Sequence, residues 1–229
     1  MRPGSTGPGA ALAIAHRAGN SLTRLRPATE LGVDVIEADV VSYPGRLEVR
    51  HLKTMGPLPL LWDKWELRST RTPRLGLVEL LQAAKPDVTV MLDLKGRDVE
   101  AGSDVARALH EHAPQRPVLV CSRFWPILAP FEAIEWVRTV RSARTRAELA
   151  PLLAASTAPG YGASVHRSLM TPDVVGRLHE RVDVVMTWPI NDDATLEQML
   201  ALRETGTIGV ISDELDVLRT LLLKRDQTG

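Results

Sequence analysis

LAIAHRAGNSLTRLRPATELGVDVIEADV, residues 12–40, holds one complete strand–helix–strand unit. The apolar run LAIA (12–15) stops at a His-Arg pair, and Gly19-Asn20-Ser21 turns the chain. SLTRLRPATELG (21–32) carries a helical pattern that starts at Ser21, a capping residue type, and stops at Gly32. VDVIEADV (33–40) is rich in Val and Ile and too short for an independent helix, so it predicts a second strand. The unit therefore delivers an imidazole, a guanidinium and two carboxylates to strand ends.

The same rhythm continues along the chain. VTVMLDLK (88–95), PVLVCS (117–122), WVRTVR (136–141), GASVH (162–166), VDVVMTW (182–188) and TIGVISD (207–213) read as further strands. Amphipathic stretches such as GLVELLQAAK, DVARALHEHA, RAELAPLLAA, TPDVVGRLHER and DATLEQMLALRE lie between most of them, with Thr171-Pro172 and Asp193 as helix starts. Eight such units in a single domain spanning 1–229 predict an α/β fold, a (β/α)8 TIM barrel, ahead of an open doubly wound sheet. Residues 52–74 break the pattern with Pro57, Pro59, Trp62, Trp65 and Pro73. That length exceeds an ordinary barrel connection and predicts a short insertion after the second strand, placed to shape an active-site mouth.

Composition narrows the function classes. Lys plus Arg and Asp plus Glu both number 28, so the formal charge is zero and non-specific nucleic-acid binding is disfavoured. Cys121 is the only cysteine, which rules out an intramolecular disulfide. It lies in an apolar run and reads as core. No stretch approaches the ~18 apolar residues of a membrane span, and the N-terminal segment lacks the apolar core of a signal peptide. A cytoplasmic protein is the expectation. The sequence carries no signal for oligomeric state.

Side chains alternate along a strand, so Glu37 and Asp39 share one face, as do Asp93 and Lys95. Three carboxylates in one barrel mouth repel unless neutralised, and all-oxygen ligation favours Mg²⁺ or Ca²⁺. His16 ends the first strand, and His51 follows the short alternation RLEV (46–49). In a barrel both belong to the same rim. Two imidazoles beside a cation suit acid–base catalysis, with Arg17 and Lys95 holding an anionic group.

These blocks resemble the glycerophosphodiester phosphodiesterase family. HRAGNSLTRLRPATELGVDVIEADV is similar to the family's opening block, RLEVRH to the strand delivering its second histidine, and VMLDLK to the strand carrying its third acidic ligand. MTWPIND and GVISDE resemble its last two strands, and all five blocks stand in family order between Ala13 and Leu218. The resemblance implies a TIM barrel that hydrolyses glycerophosphodiesters to glycerol 3-phosphate and an alcohol. It implies His16 and His51 as the acid–base pair, and Glu37, Asp39 and Asp93 as ligands of a divalent cation, Mg²⁺ or Ca²⁺. It also implies Arg17 and Lys95 on the phosphate and Trp188 beside the alcohol of a small phosphodiester substrate.

Three departures stand out. Gly19 occupies a position where the family usually has Glu, which predicts the loss of a bracing carboxylate. Leu52 stands where Asp usually follows the second histidine, which predicts that His51 lacks an orienting partner. Asp93 replaces a commoner Glu, although the related sphingomyelinase D-like phospholipases carry a similar Asp-Leu-Lys strand. Two alternatives follow: a phospholipase D-like enzyme acting on lysophospholipids or sphingomyelin, with an acyl track at Trp62 and Trp65, and a catalytically impaired barrel that binds phosphodiesters.

Overall fold

The structure, a computed structural model, describes residues 11–43, 45–56, 58–63, 66–154, 160–203 and 206–228. In chain order the first half comprises β1 (Ala11–Ala15), α1 (Leu22–Leu31), β2 (Val35–Tyr43), β3 (Arg46–Val49), β4 (Lys53–Thr54), β5 (Leu60–Asp63), β6 (Glu66–Ser69) and α2 (Leu77–Ala83). There follow β7 (Thr89–Leu94), α3 (Val99–His112), β8 (Val118–Ser122), β9 (Val137–Ala143) and α4 (Arg146–Leu153). The chain ends with β10 (Gly160–His166), α5 (Pro172–His179), β11 (Val182–Trp188), α6 (Asp193–Leu200), β12 (Thr207–Ser212) and α7 (Leu215–Thr228).

Eight parallel strands pair in the order β1-β12-β11-β10-β9-β8-β7-β2, and a β1–β2 pairing closes the ring. This is a (β/α)8 barrel. Two apolar layers hold it together. Ile14, Val35, Met91, Leu119, Val140, Val184, Met186 and Ile211 fill the interior, together with Cys121. Alternate positions such as Ile36, Ala38, Leu92, Val120 and Val165 face outward against the helices. Parity therefore sets the face of each functional residue. His16 follows Ile14, Glu37 and Asp39 follow Val35, and Asp93 follows Met91, so all sit above the apolar plug on the inner face.

Local chemistry explains most element ends. Ser21 accepts a hydrogen bond from the Arg24 amide at the start of α1, and Gly32 ends it at φ 79°, where a side chain would be strained. Thr171 caps α5 with Pro172 at its first position, as expected. α6 starts at Asp193, as expected, and Asp192 caps it, its carboxylate accepting from the Thr195 amide at 2.7 Å. The unit after β8 has no α-helix. Trp125–Phe131 forms a 3-10 helix there, with Pro126 and Pro130 removing amide donors that an α-helix would need. After the last strand α7 completes the eighth unit, burying Val217, Leu218 and Leu221 and packing against β1.

The insertion takes the expected place after β2. β3 pairs antiparallel with β2, and β4, β5 and β6 form a separate three-stranded antiparallel sheet. Glu48 anchors its base. It is buried and accepts from Arg50 Nε and Arg74 Nη2, each at 2.7 Å, with Arg46 Nε at 3.0 Å. Burial alone would raise its pKa, but the hydrogen bonds from Arg74 and Arg50 outweigh this and hold it below the usual carboxylate range. A lowered acid contributes stability that is complete above its ordinary pKa and lost as pH falls through its folded value. Glu48→Gln strands the buried Arg50 charge and is expected to cost about 3 kcal/mol near neutral pH. Thermal melts should show this as a drop of roughly 2–4 °C per kcal/mol, shrinking in acid below the ordinary carboxylate range.

Candidate active site

The C-terminal mouth of the barrel opens into a cavity of about 590 Å³. His16, Arg17, Glu37, His51, Asp93, Lys95 and Trp188 all line it. Asp39 lies directly beneath, fully buried. The structure thus brings together every residue expected at the site.

The acidic trio is set by strand register. Asp39 on β2 lies opposite Asp93 on β7, with Glu37 one pleat below. Glu37, Asp39 and Asp93 each present a carboxylate oxygen within 4.8 Å of the others. Lys95 Nζ ion-pairs with Asp39 Oδ1 at 2.6 Å and also with Asp93. Arg17 Nε stands 3.6 Å from Asp39 Oδ2, buried and without a hydrogen-bond partner. The Arg17 backbone, at φ 53°, turns its amide onto Glu37 Oε2 at 2.6 Å.

Charge in the trio is unevenly balanced. Burial and the adjacent Asp39 push the Glu37 carboxyl up to about 7. Burial raises Asp93 as well, against the pull of Lys95. Burial would raise Asp39 too, but the charge and hydrogen bond of Lys95, with further help from Asn20 and His51, bring it below its ordinary value. Lys95 itself is raised well above a normal lysine, because the attraction of Asp93, Asp39 and Glu37 overcomes its burial. One lysine ion-paired to two carboxylates leaves Glu37 with no ion-pair partner of its own among the described residues. Three hard oxygen donors with a surplus of negative charge fit a divalent cation.

Each imidazole is backed by a carboxylate. His16 Nδ1 is 2.8 Å from Asp213 Oδ1, just past β12, and the Asn191 amide nitrogen donates to Asp213 Oδ2 at 3.1 Å. Burial pulls the His16 pKa down, yet Asp213 and Glu37 together raise it. The hydrogen bond from His16 is the main reason that Asp213 falls to about 2. His51 Nδ1 is 2.6 Å from Asp63 Oδ2 on β5. With Nδ1 occupied, Nε2 is the nitrogen left for proton transfer at both rings.

Three functional residues were missed in the sequence, and two of them correct expectations there. Asp63, delivered by the insertion sheet, gives His51 the partner that Leu52 does not. Asn20 replaces the bracing expected from a carboxylate at residue 19: its side chain donates to Asp39 Oδ2 at 2.6 Å and accepts from the Asp39 amide at 2.8 Å. Gly19 is required here, because a Cβ would lie 2.7 Å from Ala38 Cβ and 3.1 Å from the Glu37 carbonyl. Asp213, the third, ends GVISD just past the C-terminal end of a barrel strand, and that placement, with the resemblance of GVISDE to the family's last strand, was its available signal.

Fold and site together define a TIM barrel with a carboxylate cluster and two carboxylate-backed imidazoles at its mouth. Solved glycerophosphodiester phosphodiesterases share this fold. A phosphodiesterase of Oleispira antarctica, in complex with the product sn-glycerol-3-phosphate, superposes with a TM-score of 0.72 at 19% identity, covering 94% of this chain and 96% of that one. A glycerophosphodiester phosphodiesterase of Parabacteroides distasonis gives 0.68 at 18% identity over 96% and 100%. One from Agrobacterium tumefaciens gives 0.66 at 16% identity over 93% and 99%. No protein-family model and no curated protein matches the chain. Among the described residues no helix is long and apolar enough to cross a membrane.

Proposed function

We propose that this protein belongs with the glycerophosphodiester phosphodiesterases and hydrolyses glycerophosphodiesters, in a cation-dependent reaction, to glycerol 3-phosphate and an alcohol. The observation that carries this reading is the meeting of the Glu37, Asp39 and Asp93 oxygens, within 4.8 Å of one another, beneath a cavity lined by both His16 and His51. A divalent cation, Mg²⁺ or Ca²⁺, held by that trio would polarise the phosphoryl oxygens. Arg17 and Lys95 supply positive charge to the phosphoryl group as charge builds on it. One imidazole takes the proton of the nucleophile at Nε2, and the other gives its proton to the departing alcohol oxygen. Asp213 and Asp63 fix the two rings and stabilise whichever is protonated. The nucleophile is water or the neighbouring glycerol hydroxyl; the same two rings serve either. Trp188, half-buried on the cavity wall and edge-on to His166 with ring centroids 5.1 Å apart, offers an apolar surface to the alcohol.

The test is release of glycerol 3-phosphate from a panel of glycerophosphodiesters. Release is expected with Mg²⁺ or Ca²⁺, lost on chelation and restored on adding the cation back. Calorimetric binding of these diesters with no product under either cation would overturn the reading in favour of a non-catalytic barrel.

One observation favours the lysophospholipid alternative. Trp62 and Leu67 are cross-strand partners on β5 and β6, both exposed, and Lys53 of the cavity lining pairs with Trp62 from the other side. This apolar row near the mouth suits an acyl chain. Trp65, the other half of the expected track, lies outside the described residues. Faster cleavage of lysophosphatidylcholine than of glycerophosphocholine would decide for that reading.

A further inference from the structure

Beyond Lys95, the cavity wall formed by the segments after β7, β8 and β9 takes no part in the chemistry above, and its charge is one-sided. Among the described residues it carries Arg97, Arg123 and Arg144 against a single carboxylate, Glu148. That carboxylate is already engaged. It ion-pairs with Arg123, and its Oε2 accepts the amides of Arg144 at 2.7 Å and Thr145 at 3.1 Å. Burial would raise the Glu148 pKa, but the Arg123 and Arg144 hydrogen bonds keep it low, so it stays ionised and satisfied. Arg97 lies over the Phe124 ring at 5.8 Å, which holds its guanidinium at the rim. Among the described residues neither Arg97 nor Arg144 has a carboxylate within ion-pairing distance. Lys53 enters from the insertion, with its Nζ over Trp62 and likewise no acidic partner.

This is a local concentration of positive charge on a chain whose basic and acidic residues balance at 28 each. An alcohol bearing an ammonium group would meet like charge here, with no free carboxylate on that wall to offset it. An alcohol bearing an anion would meet guanidinium donors suited to oxyanions. We propose that Arg97 and Arg144 form an anion subsite, so that the preferred phosphodiester carries a second anionic group, phosphate or carboxylate, on its alcohol half. The proposal rests on the phosphodiesterase reading.

The experiment compares kcat/KM for glycerophosphoinositol 4-phosphate, glycerophosphoserine, glycerophosphoinositol and glycerophosphocholine, with the cation saturating. The phosphorylated inositol diester is expected to exceed its neutral counterpart roughly tenfold, the scale of two partly exposed ion pairs. Glycerophosphocholine should be slowest, and a gain for glycerophosphoserine over it would extend the subsite to carboxylates. R97A/R144A should bring the phosphorylated and neutral inositol diesters within about twofold of each other, as should added salt in the wild type. Turnover of all four with glycerophosphocholine equal or faster overturns the subsite and leaves the phosphodiesterase standing. A preference that survives R97A/R144A overturns its assignment to this wall. No turnover of any diester overturns both.

Discussion

Alanine at His16 or at His51 is expected to lower kcat by about 10²–10⁴-fold, the usual contribution of a positioned proton donor or acceptor. Both rings lie at the cavity rim, outside the apolar layers, so the melting temperature should stay close to wild type. The carboxylates behind them give a graded control. Asp213→Asn and Asp63→Asn keep the shape but weaken the hold on Nδ1, and each is expected to cost roughly 10–100-fold. Because each pair acts as a unit, H51A/D63N should be little worse than H51A alone, and H16A/D213N little worse than H16A. Steady-state kinetics with the best diester of the panel reads all six variants. Turnover unchanged in either alanine variant would remove that histidine from the reaction, and additive losses in the double variants would show that the carboxylate acts elsewhere.

The barrel was legible because its strands are written in short Val- and Ile-rich runs whose parity also fixes which residues face inward. Glu37 and Asp39 fall on the inner face for the same reason that Val35 does, and the register between β2 and β7 then sets Asp39 opposite Asp93. The partners of the histidines were less legible. Asp63 reaches His51 only because β4, β5 and β6 fold back as a sheet, and nothing in residues 52–74 marks Asp63 rather than Glu66 as the acid that returns. Gly19 misled in a different way. Compared with a family pattern it reads as a lost carboxylate, whereas the close approach of Ala38 leaves no room for any side chain and Asn20 secures Asp39 instead. The charge of the β7–β9 wall was also hidden, since Arg97, Arg123 and Arg144 are far apart in sequence and meet only when the barrel closes.

Glu37 is where the second large effect is expected, and there stability and activity should move in opposite directions. Its carboxyl sits at about 7 in the folded protein against an ordinary 4.5, raised by burial and by Asp39. An acid whose folded pKa lies above its unfolded value favours folding while protonated, and that advantage is lost as pH rises from the lower value to the higher. Without a bound cation, ionised Glu37 should therefore cost a few kcal/mol at pH 8, on the order of 1.4 kcal/mol for each pH unit separating the folded and unfolded values. Gln at this position stays neutral and keeps an acceptor for the Arg17 amide. Metal-free E37Q should thus melt above the wild type at about pH 8 and alongside it near pH 4. The same change removes the carboxylate of the trio that has no lysine or arginine ion-pair partner among the described residues. Turnover should fall by more than ~100-fold, beyond the loss of a partner outside the ligand set. Adding Mg²⁺ or Ca²⁺ should raise the melting temperature of the wild type and leave that of E37Q nearly unchanged. A site shaped only by internal ion pairs would do the reverse: E37Q would melt lower at pH 8, and the cation would stabilise neither protein. Charge kept in place at a cost to folding is what a cation-binding centre requires, because the ion is attracted by the imbalance that Lys95 leaves behind.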